Sequence, residues 1–440
     1  MINIYSPATD FKPIGDQMYA LVSTLFPICR SITGNGVRET LSHVQKLLPI
    51  TVHEVPTGTP VFDWTVPKEW NIKDAYVANS QGERVIDFKK SNLHVLNYST
   101  PVNQKMTLDE LRPHLMTLPE HPDWIPYRTS YYQEKWGFCL SQNQLDALPE
   151  DNYHVVIDSS LEVGSLSYGE YVIPGESSDE VLISCHTCHP SLCNDNLSGI
   201  ALATFLARQI EQVKAEGGKL RYTYRFLFIP GTIGSITWLE RNKTNAKRIQ
   251  HGLVVVCVGD AGKFSYKTSR QGDALIDHAA KHVLTSERES FNLIDFFPYG
   301  YDERQYCSPG FNLAVGSLSR STHGKFPEYH SSGDNLSFVT GAQIAESLEV
   351  YLKVIDVLEN NHTYINQNPH CEPQLGKRGL YGGVGATVHR PTFEMALLWI
   401  LNLSDGTHSL LDIAKRAKMP FETIKQAAKA LQDSGLLKQA

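Results

Sequence analysis

Ser184-Cys185-His186-Thr187-Cys188-His189-Pro190-Ser191-Leu192-Cys193-Asn194-Asp195-Asn196 is the densest chemical stretch of this 440-residue chain. It follows a short apolar run, Val181–Ser184, and opens an apolar-periodic one, Leu197–Ile210. The first reads as a strand and the second as a helix. His186, His189 and Asp195 therefore fall in a strand-to-helix loop. Imidazole and carboxylate together suit zinc and related metals. Two rival readings use the same letters. Cys185 to His189 matches the C-x-x-C-H haem-attachment pattern, but that chemistry needs export. The N-terminus, MINIYSPATDFK, has no basic stretch followed by an apolar run. A structural zinc on Cys185, Cys188, Cys193 and a histidine would need a second ligand pair or knuckle spacing, and neither is clear.

Working outward, the same alternation continues. Tyr222–Ile229, Leu253–Val258 and Phe311–Leu318 read as strands, and Ser235–Asn242, Asp273–Leu284 and Gln343–Leu358 as helices. Alternating β and α elements predict an α/β fold, with a mainly parallel sheet flanked by helices. Ligands in such folds sit at the carboxyl ends of the strands. Residues 14–49 read as helical. Residues 56–128 are rich in short alternating runs and read as an inserted β module. Residues 361–390 look like a linker. Within 391–440, Thr392–Leu403, Leu410–Ala417 and Phe421–Ser434 form a helical unit, and Lys418-Met419-Pro420 gives helix-turn-helix spacing. The main domain is then 1–55 with 129–360.

Hydrophobic residues make up 41% and charged residues 20%, so a sizeable core can be buried. The net charge of −7 argues against nucleic-acid binding by the whole surface. No window approaches the roughly 18 apolar residues of a membrane span. The eight cysteines are not spaced as a disulfide framework, which predicts a reducing, cytoplasmic setting.

Two further stretches carry chemistry: Tyr301-Asp302-Glu303-Arg304-Gln305-Tyr306 and Phe326-Pro327-Glu328-Tyr329-His330, the latter followed by Ser331-Ser332-Gly333-Asp334. With them, residues 130–360 resemble the co-catalytic zinc aminopeptidases, a family that includes glutaminyl cyclases. The whole chain is similar to a bacterial aminopeptidase-like family with an inserted β module and a C-terminal winged helix. Phe62-Asp63-Trp64, Trp136-Gly137-Phe138-Cys139 and Cys188-His189-Pro190-Ser191 carry that closer match. Its members are often described as peptidases or associated with polysaccharide biosynthesis.

The resemblance implies that His186 is a zinc ligand, Asp195 the bridging carboxylate, His330 the last histidine ligand and Asp260 a further carboxylate ligand. His189 is an alternative ligand. It also implies departures. The Glu-Glu pair before a Gly-x-x-Gly-Ser turn is absent, since the chain reads Phe228-Ile229-Pro230-Gly231 there. Cys188 stands where an aspartate orients the first histidine, and Glu303 where a histidine stands. One zinc ion rather than two is the consequence. Glu303 is then the first candidate for the catalytic base and Glu328 the second. Arg304, Tyr329, Tyr266 and Arg270 are candidate substrate contacts. The expected activity is metal-dependent hydrolysis of an amide bond, removing an aminoacyl group from a peptide or small conjugate. The alternative is a non-catalytic binding or assembly protein that keeps the fold and its metal. The C-terminal unit is expected to serve packing or homo-oligomer formation, with no nucleic-acid partner.

Overall fold

The structure, a computed structural model, describes residues 1–380 and 390–440, the side chains of 390 and 391 excepted. Three strands form the centre of the main sheet: Glu180–His186, Thr223–Ile229 and Ile249–Val255. The first two are buried at every position. Strands buried at every position have no face to offer water, so both faces of the sheet must be covered, and their polar residues pair internally, as Arg225 does with Glu180 at 2.6 Å. In chain order the eight sheet strands are β1 (Thr51–Pro56), β2 (Ser165–Ile173), β3 (Glu180–His186), β4 (Thr223–Ile229), β5 (Ile249–Val255), β6 (Ser265–Lys267), β7 (Asn292–Ile294) and β8 (Val315–Ser319). Their spatial order is β1-β2-β4-β3-β5-β8-β6-β7. The β4-β3-β5-β8 segment is parallel throughout. β1, β2 and β6 join antiparallel.

Helices cover the sheet. α1 (Lys12–Leu25), α2 (Asn35–Gln45), α3 (Ser198–Ala215), α4 (Ile233–Arg241), α5 (Leu275–Glu287) and α6 (Gly341–Asn360) connect or flank its strands. α1 and α6 pack where Gly15 meets Gly341, a contact that leaves no room for a Cβ on either residue.

The β module is a four-stranded antiparallel sheet of Arg84–Asp87, Glu69–Ala78, Asn152–Glu162 and Val102–Thr107. Its longest pairing, Glu69–Ala78 with Asn152–Glu162, draws on chain beyond residue 128. Among the described residues, no helix is long and apolar enough to cross a membrane.

The C-terminal unit holds α7 (Arg390–Leu403), α8 (Leu410–Ala417) and α9 (Phe421–Asp433). Its small sheet has Thr363–Asn366 in the middle, antiparallel to Asp405–Ser409 and Leu437–Gln439. That middle strand lies inside the stretch whose composition reads as a linker. Its four residues carry too short a pattern to announce a strand. The unit shares one apolar core with the main domain, where Tyr351 and Ile355 of α6 join Leu397, Ile400, Ile424 and Leu431. Across that junction Lys425 Nζ lies 2.8 and 3.0 Å from the Asp356 carboxylate oxygens, with both side chains buried. The other lysine of α9, Lys429, is exposed and pairs with Asp433.

One buried group ties this fold to pH. His251 of β5 sits edge-on to Tyr222, and its Nδ1 has no hydrogen-bond partner. Burial, helped by the Arg221 charge, lowers its pKa from 6.5 to about 4. A depressed histidine stabilises the fold above its unfolded value and loses that contribution as pH falls. The shift is worth about 3 kcal/mol, lost between pH 6.5 and about 4. Urea unfolding across that window should show His251→Phe losing less stability than the native chain by about this amount.

Candidate metal centre

His186 is the last residue of β3, so its side chain emerges at the carboxyl end of the parallel sheet. Asp195 lies in the loop that turns into α3, and its peptide bond to Asn196 is cis. Four hydrogen bonds fix this loop. The Asp334 carboxylate accepts hydrogen bonds from the backbone N–H groups of Asn194 (2.6 Å) and Asp195 (2.9 Å). Asn194 Oδ1 accepts from Gly259 N (2.9 Å), and Ser198 Oγ accepts from Val258 N (3.1 Å). Burial pushes the Asp334 carboxyl up to about 8, against the pull of the backbone N–H groups of Asn194, Asp195 and Cys193.

The Asp195 carboxylate is fully buried and shared. His186 Nε2 lies 2.8 Å from Oδ1, and His330 Nε2 lies 3.0 Å from Oδ2. Tyr301 donates its hydroxyl to Oδ2 at 2.7 Å and meets the Tyr329 hydroxyl at 2.8 Å. Burial alone would raise the Asp195 pKa. The surrounding histidines, His189 and His186 first, with hydrogen bonds from His186 and His330, instead hold it well below the carboxylate range. His189 completes the cluster: one ligand atom each from His186, His189 and Asp195 all lie within 4.8 Å of one another. The His189 ring also lies 5.0 Å from that of His330. Burial holds His189 well below its ordinary pKa, against the pull of the Asp195 carboxylate. A neutral imidazole is the ligating form.

His330 has a left-handed backbone, φ 55°, uncommon for a residue with a side chain. Tyr127 N donates to its carbonyl at 2.7 Å, and the Tyr329 ring stacks on its imidazole at 3.9 Å. Its side chain is 29% exposed while those of His186 and Asp195 are fully buried, so the centre opens on the His330 side. The donor set, imidazoles around one ionised carboxylate, fits zinc in type and number.

The other expected residues divide. Tyr329 is at the centre. Glu303 is buried nearby, with Oε1 paired to Lys267 Nζ at 2.9 Å and Oε2 without a partner. Asp260 has its carboxylate taken up by Asn194 Nδ2 (2.6 Å) and Ser321 Oγ (2.7 Å), which ties the β5 loop to the Asp195 loop. Arg304 reaches toward the Tyr299 ring, 5.8 Å away. Arg270 is exposed and donates to Asn312 Oδ1 at 2.8 Å. Tyr266 is buried and donates to Asp277.

Asp302 is the residue that the sequence reading passed over. Its Oδ1 accepts from Ser235 Oγ at 2.8 Å, while its buried Oδ2 has no hydrogen-bond partner. A Cβ placed on Gly231 would lie 3.6 Å from that oxygen and 3.1 Å from His186 Cβ. Asp302 thus stands beside the turn that lacks a carboxylate of its own. Burial raises its pKa to about 6. The signal was present in Tyr301-Asp302-Glu303, but spacing alone does not say which acid faces inward.

Comparison with known proteins agrees with this architecture. Residues 19–361 match a family model described as Domain of unknown function (DUF4910), and residues 362–439 match one described as winged helix-turn-helix. A Clostridium acetobutylicum protein named "Putative polysaccharide biosynthesis protein with aminopeptidase-like domain" is 57% identical over 424 residues, covering 96% of each chain. A crystal structure from the same organism superposes with a TM-score of 0.91 at 56% identity, covering 98% of this chain and 97% of that one. A zinc aminopeptidase from Bacillus subtilis shares the fold, with a TM-score of 0.56 at 10% identity over 78% of this chain and 94% of that one. The chain belongs to the DUF4910 family, an aminopeptidase-like α/β domain followed by a winged helix-turn-helix.

Proposed function

We propose that this protein is a metal-dependent hydrolase of amide bonds, aminopeptidase-like, acting on an aminoacyl group of a peptide or small conjugate. The observation that supports this best is the buried Asp195 carboxylate, held between His186 Nε2 and His330 Nε2 with His189 beside them. His186, Asp195 and His330, with His189 as the further candidate, would hold a single zinc ion. When bound, zinc polarises a carbonyl and activates water.

The chain's own residues must supply the proton acceptor. Asp302 Oδ2 and Glu303 Oε2 are the two carboxylate oxygens near the centre that are buried and unpartnered among the described residues. Glu303 is already neutralised by Lys267, whereas Asp302 abuts the His186 strand end. Asp302 is therefore the better base, and the Lys267–Glu303 pair positions the segment that carries it. Tyr329 and Tyr301 are placed to orient a substrate carbonyl or amine at the open side.

Elemental analysis of the native chain, with a screen of aminoacyl-arylamides, tests the proposal. About one zinc per chain and hydrolysis of at least one arylamide are expected. Metal at trace level would overturn it. The roles of the two acids are separable: Asp302→Asn should keep its metal and lose about 10²–10⁴-fold in kcat. Glu303→Gln should lose less. A larger loss in Glu303→Gln would transfer the role.

One observation favours a second reading, a binding or assembly protein that keeps the metal. The turn at Ile229, Pro230 and Gly231 carries no acid. Stoichiometric metal with no hydrolysis across the screen would select it. The polysaccharide-related name of the 57% identical relative is consistent with a sugar-bearing conjugate as the molecule acted on or bound.

A further inference from the structure

A cavity of about 470 Å³ lies between the main domain and the winged-helix unit, far from the residues described above in sequence and role. One wall is the face of α5 that carries His278, Lys281, His282, Thr285 and Ser286. The other wall is Lys415 at the end of α8 and Lys418 in the following turn. Every ionisable side chain lining it is basic. In a chain of net charge −7 this is a local reversal of sign.

Among the described residues none of the three lysines forms a salt bridge, although the Lys415 charge helps to lower the Asp412 carboxyl. Glu287 pairs with Lys353 at 2.6 Å, Glu422 with Lys425 at 2.7 Å, and Asp412 caps α8 through Ser409. Like charges gathered on two walls of one crevice set up a local positive potential that draws an anion. His282 adds an independent sign. The residue is 8% exposed, it lines the cavity, and its Nε2 has no hydrogen-bond partner, although the ring also bonds the Met419 backbone. Buried polar atoms are normally satisfied, by protein, by water or by a ligand. Lys418 takes a left-handed backbone, φ 54°, at the C-cap of α8, a common way for a helix to end.

We propose that this crevice binds a phosphate-bearing small molecule, a mono- or diphosphate ester, that bridges the two domains. Three ammonium groups match a multiply charged anion better than a single carboxylate, and an imidazole N–H can donate to it. The volume lies within the range of small-molecule pockets and exceeds what an inorganic ion fills. Thr285 and Ser286 lie at its rim, and the lysine stems give it apolar walls suited to the organic part of an ester. Because the ligand would touch both α5 and the α8 turn, its binding tightens the docking of the winged-helix unit on the main domain. The bound state is then the more stable one by mass action.

Titration calorimetry on the full chain tests this, with inorganic pyrophosphate and adenosine diphosphate as probes. Saturable binding with one site per chain is expected, tighter for the nucleotide, and weaker by about tenfold or more in Lys281→Gln and in Lys415→Gln. The lysines are exposed, so these variants should fold. The ring C–H resonances of His282 should move on saturation, and the melting temperature should rise. Pyrophosphate binding as tight as that of the nucleotide would assign the site to a free phosphate species instead of an ester. Absence of heat and of His282 shifts at millimolar probe would overturn the proposal. So would binding that both lysine variants leave unchanged. Retention of random duplex DNA through Lys415, with no pyrophosphate binding, would make the surface a nucleic-acid contact and overturn it equally.

Discussion

Asp195→Asn should empty the metal centre. The native carboxylate faces two imidazole Nε2 atoms and one tyrosine hydroxyl, and all of them depend on its negative charge. An asparagine keeps the shape but offers one acceptor and one donor. It would present N–H to one of these partners, and it carries no charge to balance a cation. Residues that only orient metal ligands are worth roughly 10–100-fold in affinity, so loss of a shared ligand should exceed about 100-fold. Zinc content at a fixed free concentration should fall accordingly, and any arylamide hydrolysis should fall with it. Circular dichroism should stay native, because Asp334 caps this loop through the backbone of residues 194 and 195, which the substitution leaves in place. An Asp195→Asn protein that holds zinc as tightly as the native one would refute the assignment of this carboxylate.

The largest effect on folding should come from Lys425→Ala. Lys425 and Asp356 are both buried, and Asp356 also accepts from the backbone N–H of Ile4. Removing the lysine leaves a buried carboxylate without its counter-charge, a change that costs about 3–5 kcal/mol. Burial already raises the Asp356 pKa to about 6, against the pull of Lys425. A raised carboxyl binds its proton more tightly in the folded state, so its ionisation weakens the fold as pH climbs from 3.8 toward 6. Without Lys425 that weakening should deepen and move to higher pH. Replacing both partners, Lys425→Met with Asp356→Leu, should recover most of the loss. Chemical denaturation of the three variants measures this directly. A loss below about 1 kcal/mol in Lys425→Ala would show that the pair is dispensable.

Much of this was legible in the letters. The runs Val181–Ser184, Tyr222–Ile229 and Leu253–Val258 are too apolar for a half-exposed strand, and they became the parallel centre of the sheet. The loop after the first run was bound to lie at the carboxyl end, and His186 and Asp195 meet there. His330 could be matched only through resemblance, since nothing local ties it to a loop so far upstream. What stayed hidden depended on non-local pairing. Asp260 is drawn into hydrogen bonds with Asn194 and Ser321, partners that no spacing rule foresees. The inward turn of Asp302 rests on Ser235 in another helix. Thr363–Asn366 is a strand because two distant segments flank it, not because its own pattern says so.

The two sides of the Asp195 carboxylate are reached by very different routes through the chain. His186 is nine residues away, whereas His330 is 135 residues away. An ion gripping both would act as a clasp on a long loop, and closing long loops is entropically expensive for an unfolded polypeptide. Metal supply would then govern more than chemistry. A newly made chain without its ion would join these two distant segments by hydrogen bonds alone, and loading would tighten the assembled domain as a late step of maturation.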